Sequence, residues 1–190
     1  MLGHLLANGR RFRRNRNGAA AVEFVLIAPV ILLLVAVVAD YGRAVYTKFD
    51  IENAVSAGAN YALVNAASVT ASGAGGLSTS IATILSGNSA ASPVSATVNI
   101  NSGSIATLSK GKITKTGTAS AADSCYCPTK TGLNMAWGSA VVCGSSCGSS
   151  GALAGKFVEI KASRPFTPFF SNYGIGIGDQ LSSSAVVQVQ

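Results

Sequence analysis

The chain has 190 residues, of which 11% are charged, 48% are hydrophobic and 21 are glycine, with a formal net charge of +7. That length holds one domain and an anchor, hardly more. Five arginines (Arg10, Arg11, Arg13, Arg14 and Arg16) account for all but +2 of the net charge, so no basic face remains elsewhere to track nucleic acid.

Residues 1–18 read as a polar and basic leader with no fold of their own. The apolar run that follows, residues 19–39, contains a single charge, Glu23. As a helix it spans roughly 32 Å, enough to cross a bilayer core of about 30 Å. Basic residues beside a span are a topology signal, and they place the N-terminus in the cytoplasm and the remainder outside. A removable secretory signal, cut after Ala39, is the competing reading. The long leader and the length of the apolar run both weigh against it. Pro29 predicts a bend in the helix.

From Asp40 the chain continues without proline, and the spacing of Val45 and Phe49, Ile51 and Val55, and Ala59 and Leu63 predicts a helical extension over 40–67. Lys48 and Glu52 are placed to pair at i,i+4. Gly42, Ala54, Ala57, Gly58, Ala59 and Ala62 suggest close approach of another backbone, either a neighbouring chain's or the chain's own domain. Residues 68–92 read as a linker holding a short amphipathic helix, with Leu77, Ile81, Ile84 and Leu85 on one face and Gly87 closing it. Flexibility is expected over 68–76.

After Pro93 the period changes from helical to two. Strands are expected at 94–100, 104–108, 112–118, 121–127, 137–143, 156–163 and 184–190, separated by Gly-, Ser- and Asn-rich turns. The fold class is therefore α+β: a long N-terminal transmembrane and amphipathic helix, then an antiparallel β-rich domain over 93–190.

Cys125, Cys127, Cys143 and Cys147 fall on the exported side, where disulfides form. Three connectivities are open. The nested one, Cys125–Cys147 with Cys127–Cys143, suits a hairpin between the two cysteine-bearing segments. Four thiolates also match a zinc site, but C-x-C is shorter than the usual zinc spacing.

Little here supports catalysis. The one histidine, His4, lies in the leader, so the exported part has no Ser-His-Asp or Cys-His set. The Gly174–Asp179 glycine run reads as a surface turn rather than a phosphate loop, because no strand and helix flank it. Asp123, Glu159 and Asp179 are the only acids after Glu52, and their spacing predicts no pairing. No cofactor, metal or small-molecule substrate is expected.

Asn17-Gly18-Ala19-Ala20-Ala21-Val22-Glu23-Phe24, followed by the D-Y-G-R-A-V-Y of 40–46 and the E-N-A-V-S-A-G-A of 52–59, resembles the TadE-type pseudopilins of the tight-adherence (Tad, or Flp) pilus system. More loosely, the resemblance extends to the cysteines, K-F-V-E-I-K-A-S at 156–163, P-F-T-P-F-F at 165–170 and the final S-A-V-V-Q-V-Q. It implies that a membrane prepilin peptidase cuts between Gly18 and Ala19, reading Gly18, Ala19, Glu23 and Phe24. It also implies that Glu23 pairs with the new amino terminus, at Ala19, of a neighbouring subunit. Major Flp pilins are much shorter and carry Glu-Tyr where this chain has Glu23-Phe24. The resemblance therefore points to a minor pseudopilin of the bacterial inner membrane, its C-terminal domain periplasmic. Its implied partners are the lipid bilayer, the peptidase, other pilins and the Tad assembly machinery. The alternative is an unprocessed, signal-anchored envelope adhesin or binding module.

Overall fold

The computed structural model describes residues 17–87, 94–131, 134–148, 151–169 and 179–190. The leader before Asn17, residues 88–93 and the Gly174–Gly178 turn lie outside the described residues. Two compact units divide the chain, one comprising Met1–Arg43 with Pro168–Ile175, the other Ala44–Thr167 with Gly176–Gln190.

The first helix, α1, runs Asn17–Val64 and contributes to both units. Helical structure continues through Pro29. An apolar segment surrounded by lipid tolerates a proline, because the freed backbone groups are satisfied locally.

In the second unit the last part of α1 is amphipathic. Its buried stripe is Ile51, Ala54, Val55, Ala59 and Ala62, recurring at helical intervals. Val45, Phe49 and Leu63, whose spacing helped to predict the helix, are exposed. A Cβ at Gly58 would lie 3.1 Å from Ile81 and 3.3 Å from Ile160, so the buried face approaches its own domain closely there and admits small side chains. The close approach that the glycine and alanines suggested is thus intramolecular at Gly58.

A 3₁₀ turn, Ala66–Ser68, and a tight turn follow α1. Thr70 Oγ1 accepts the Gly73 N–H at 3.1 Å, Asp123 Oδ1 accepts the Ala71 N–H at 2.9 Å, and Val69 is buried. The segment expected to be a flexible connection is therefore pinned at several points. The second helix, α2, spans Ala74–Gly87 and buries Leu77, Ile81 and Leu85 of the predicted face, with Ile84 half-buried.

Five strands form one antiparallel sheet: β1 (Ser95–Ile100), β2 (Ser104–Ser109), β3 (Lys112–Gly117), β6 (Phe157–Pro165) and β7 (Gln180–Gln188). Their order is β3-β2-β1-β6-β7. Alternation selects one face for the core. Ala96, Val98 and Ile100 of β1, Ala106 and Leu108 of β2, and Val158, Ile160 and Ala162 of β6 pack with the buried faces of α1 and α2. The β2–β3 hairpin turns on Lys110 and Gly111, both at positive φ, the geometry of a two-residue turn that matches strand twist.

One buried polar residue ties the longest excursion to the sheet. Asn101, in the β1–β2 turn, donates from Nδ2 to the Ala122 carbonyl at 3.0 Å and the Ser124 carbonyl at 2.6 Å. Its Oδ1 accepts the Phe157 N–H at 3.1 Å. A fully buried amide with both ends satisfied specifies one docking of that excursion.

Within the excursion the sequence expectation of strands at 121–127 and 137–143 fails. A 3₁₀ turn, Ala119–Asp123, replaces the first, and only isolated bridges, Cys125 to Val141 and Tyr126 to Gly155, remain. The regular pairing is instead a short hairpin of β4 (Thr129–Thr131) and β5 (Asn134–Ala136). Small residues and cross-links, rather than alternating apolar side chains, set this region's shape.

Candidate functional site: the exposed helix and the stapled excursion

Residues 18–35 of α1 are exposed apart from a half-buried Ala28. The helix contains a window of mean hydropathy 2.9, none of which is buried. Phe24, Leu26 and Val38 are each about two-thirds exposed or more, at 68%, 72% and 70%. In water such a surface is unfavourable at about 25 cal/mol per Å² of apolar area, and the environment that removes that cost is a bilayer or a bundle of like helices.

Gly18, Ala19, Glu23 and Phe24 lie at the start of this helix, all exposed. No described residue approaches within 4 Å of a Cβ placed on Gly18. Ala19 and Glu23 are four residues apart on one face, separated by about 6 Å along the axis. Glu23 forms no ion pair with any described residue.

At the other end of the apolar run stands a cluster that sequence reasoning did not assemble. Asp40 is buried, and its Oδ1 accepts the Phe169 backbone N–H at 2.9 Å. Arg43, one turn on, lies 3.6 Å from the same oxygen, and its guanidinium sits 3.7 Å over the Phe169 ring. Both D-Y-G-R and P-F-T-P-F-F were visible as motifs, but nothing in either announced that they meet.

Farther along α1, Lys48 and Glu52 pair at 3.3 Å, as their spacing predicts. Lys48 also donates to the Ser182 carbonyl of β7. Asp50 faces the buried Arg164 of β6 at 3.6 Å. Two of the three acids weighed as catalytic candidates, Asp123 and Glu159, have structural partners. Asp123 holds the Ala71 N–H, and Glu159 pairs with Lys161 at 2.8 Å. Among the described residues no three His, Cys, Asp or Glu side chains gather to hold a metal.

All four cysteines are bonded, as Cys125–Cys143 and Cys127–Cys147, with Cα separations of 5.0 and 5.4 Å. The pairing is interleaved rather than nested. Nesting requires one long hairpin between the two cysteine segments, whereas Cys125 and Tyr126 each bridge a different neighbour, Val141 and Gly155. A second reversal, with Ser146 opposite Leu153, follows and returns the chain to Gly155 beside Tyr126. Edge-on packing of Trp137 against Tyr126, with centroids 5.9 Å apart, adds an aromatic contact to the stapled region. Each bridge closes a loop of about twenty residues, worth about 3 kcal/mol in the chain-entropy view. Chymotryptic cleavage after Tyr126 in the denatured, unreduced protein puts Cys125 and Cys127 on different peptides, both still linked to the one peptide that carries Cys143 and Cys147. Fragmentation of that linked species within Gly144-Ser145-Ser146 should then give Cys125 linked to Cys143 and Cys127 linked to Cys147.

Residues 18–60 match the family model described as TadE-like protein. No curated protein and no solved structure matches the chain. The matched residues run from Gly18 through the exposed apolar helix into the stripe that packs on the sheet. The match, confined to the long helix, suggests a Tad pilus-associated protein, and that helix is long and apolar enough to cross a membrane.

Proposed function

We propose that the protein is a minor pseudopilin of a Tad (Flp) pilus, processed after Gly18 and acting in pilus assembly or initiation, or as a tip subunit. The observation that carries this reading is a coincidence within one helix. The TadE-like match starts at Gly18, where an exposed Gly-Ala junction lies four residues before a lone carboxylate in an otherwise apolar, exposed surface. In this reading residues 1–18 are the leader, 19–39 the span, 40–67 the helix extension, 68–92 the connection and 93–190 the exported domain. The leader side is cytoplasmic, the span lies in the inner membrane, and the exported domain is periplasmic.

Glu23 is the assembly charge. Near the membrane surface it reaches water at modest cost, since even a central charge costs about 2.5–3.5 kcal/mol on insertion scales. When helices bundle, the ammonium that cleavage creates at Ala19 of a neighbour offsets its desolvation and sets axial register. Val45, Phe49 and Leu63 support a bundled role for α1. They are exposed and fall within about 40° of one another around the helix, a face left free by the chain's own domain.

Glu23→Gln removes the charge and keeps the shape. Leaving the partner ammonium unpaired in an apolar contact costs about 3–5 kcal/mol. Pilus formation should therefore collapse, while the protein's level in the membrane fraction holds. Normal complementation by the variant would refute the pairing.

A further inference from the structure

We propose that Phe169 is a second membrane contact, held by Asp40 and Arg43 at the level where α1 leaves the bilayer and inserted among the lipid headgroups and upper acyl chains. The inference rests on the membrane-anchor reading of α1 and adds to it a site formed by two distant parts of the chain.

Depth comes first. Asp40 directly follows Ala39, the last residue of the apolar run, and is the first charged residue after Glu23. A run that just spans the hydrocarbon core therefore places Asp40 at one of its surfaces. Phe169 is fixed to that level by the 2.9 Å hydrogen bond from its N–H to Asp40 Oδ1. Exposure comes second. Phe169 is 70% exposed and Tyr41 is 62% exposed; tyrosine gathers at a membrane–water boundary, and the exposed phenylalanine offers apolar surface to the same layer. Their surface continues the exposed apolar face of residues 22–38, which the bilayer covers in the anchor reading.

The polar groups fit that depth as well. A backbone donor entering the interface must be satisfied, and the Phe169 N–H is. Arg43 lies near the Asp40 carboxylate and covers one ring face, with its side chain still 44% exposed. A guanidinium placed this way reaches lipid phosphates while its stem stays on apolar surface. The occupant is thus a phospholipid interface.

The test uses the full chain with its single tryptophan moved. Trp137→Phe keeps a ring beside Tyr126, and Phe169→Trp places the probe at an exposed position. The double variant is reconstituted in phosphatidylethanolamine vesicles with a minority of phosphatidylglycerol, with or without acyl chains brominated near the headgroup. The expected result is blue-shifted emission that loses intensity in the brominated vesicles, a loss that Asp40→Ala reduces. Water-like, unquenched emission from protein that resists carbonate extraction overturns the contact and leaves the anchor standing. Blue-shifted but unquenched emission overturns it in favour of a protein neighbour. Quenching that Asp40→Ala leaves unchanged overturns the role of the carboxylate in setting the depth. Release of the chain by carbonate overturns the anchor, and the contact with it.

Discussion

Gly18→Leu is expected to yield a chain that folds normally and is never matured. No described residue lies within 4 Å of a Cβ at this position, so the larger side chain meets no resistance from them. Replacing glycine in a helix also favours the helix by up to about 1 kcal/mol. A peptidase that reads a small residue before the scissile bond, by contrast, must accommodate the leucine in its own site. Thermal unfolding should match or slightly exceed that of the unsubstituted chain, while intact mass in the membrane fraction should show the leader retained. Normal cleavage of the variant would remove Gly18 from the recognition set.

Gly117→Ala should have the largest effect on stability. Gly117 ends β3 at φ +92°, a conformation that side-chain-bearing residues rarely adopt, and its added Cβ would collide with the Gly103 carbonyl oxygen. Gly103 belongs to the turn that also carries Asn101, and its own Cβ position meets the Ala122 backbone. Relief of the clash therefore displaces the turn on which the stapled excursion is docked. Backbone strain and collision together should cost more than about 3 kcal/mol, read as a lower urea midpoint with both disulfides intact. Gly111→Asn is the control. Gly111 also has positive φ, but nothing lies near its Cβ and asparagine tolerates that region, so the change should cost less than about 1 kcal/mol.

The sequence was most legible where one physical signal dominated. The apolar run, the change of period after Pro93 and the Leu77-Ile81-Leu85 spacing each mapped onto an element, because burial and backbone period agree there. Lys48–Glu52 was readable for the same reason: an i,i+4 pair needs only the helix. The excursion between β3 and β6 was not readable. Its Ser-, Gly- and Ala-rich segments carry too little apolar contrast to mark strands, and its shape depends on cross-links whose pairing no spacing reveals. Which side of the helix extension packs was also hidden: Phe49 lies more than about 100° from the middle of the buried stripe and faces out, while Gly58 marks the side held close to Ile81 and Ile160. In the candidate site, Gly18 to Phe24 could be read in a line, whereas Asp40, Arg43 and Phe169 meet only in the folded chain.

In the proposed function, Gly18–Phe24 is a cleavage and assembly signal at the head of a membrane helix. The central claim is that the working protein begins at Ala19. N-terminal sequencing with intact-mass measurement, on protein from the membrane fraction of cells that carry a prepilin peptidase, tests this directly. A start at Ala19, with all four cysteines oxidised, is the predicted result. A start at Met1 would contradict the account in favour of an uncleaved anchor, and a start at Asp40 would contradict it in favour of an ordinary secretory signal.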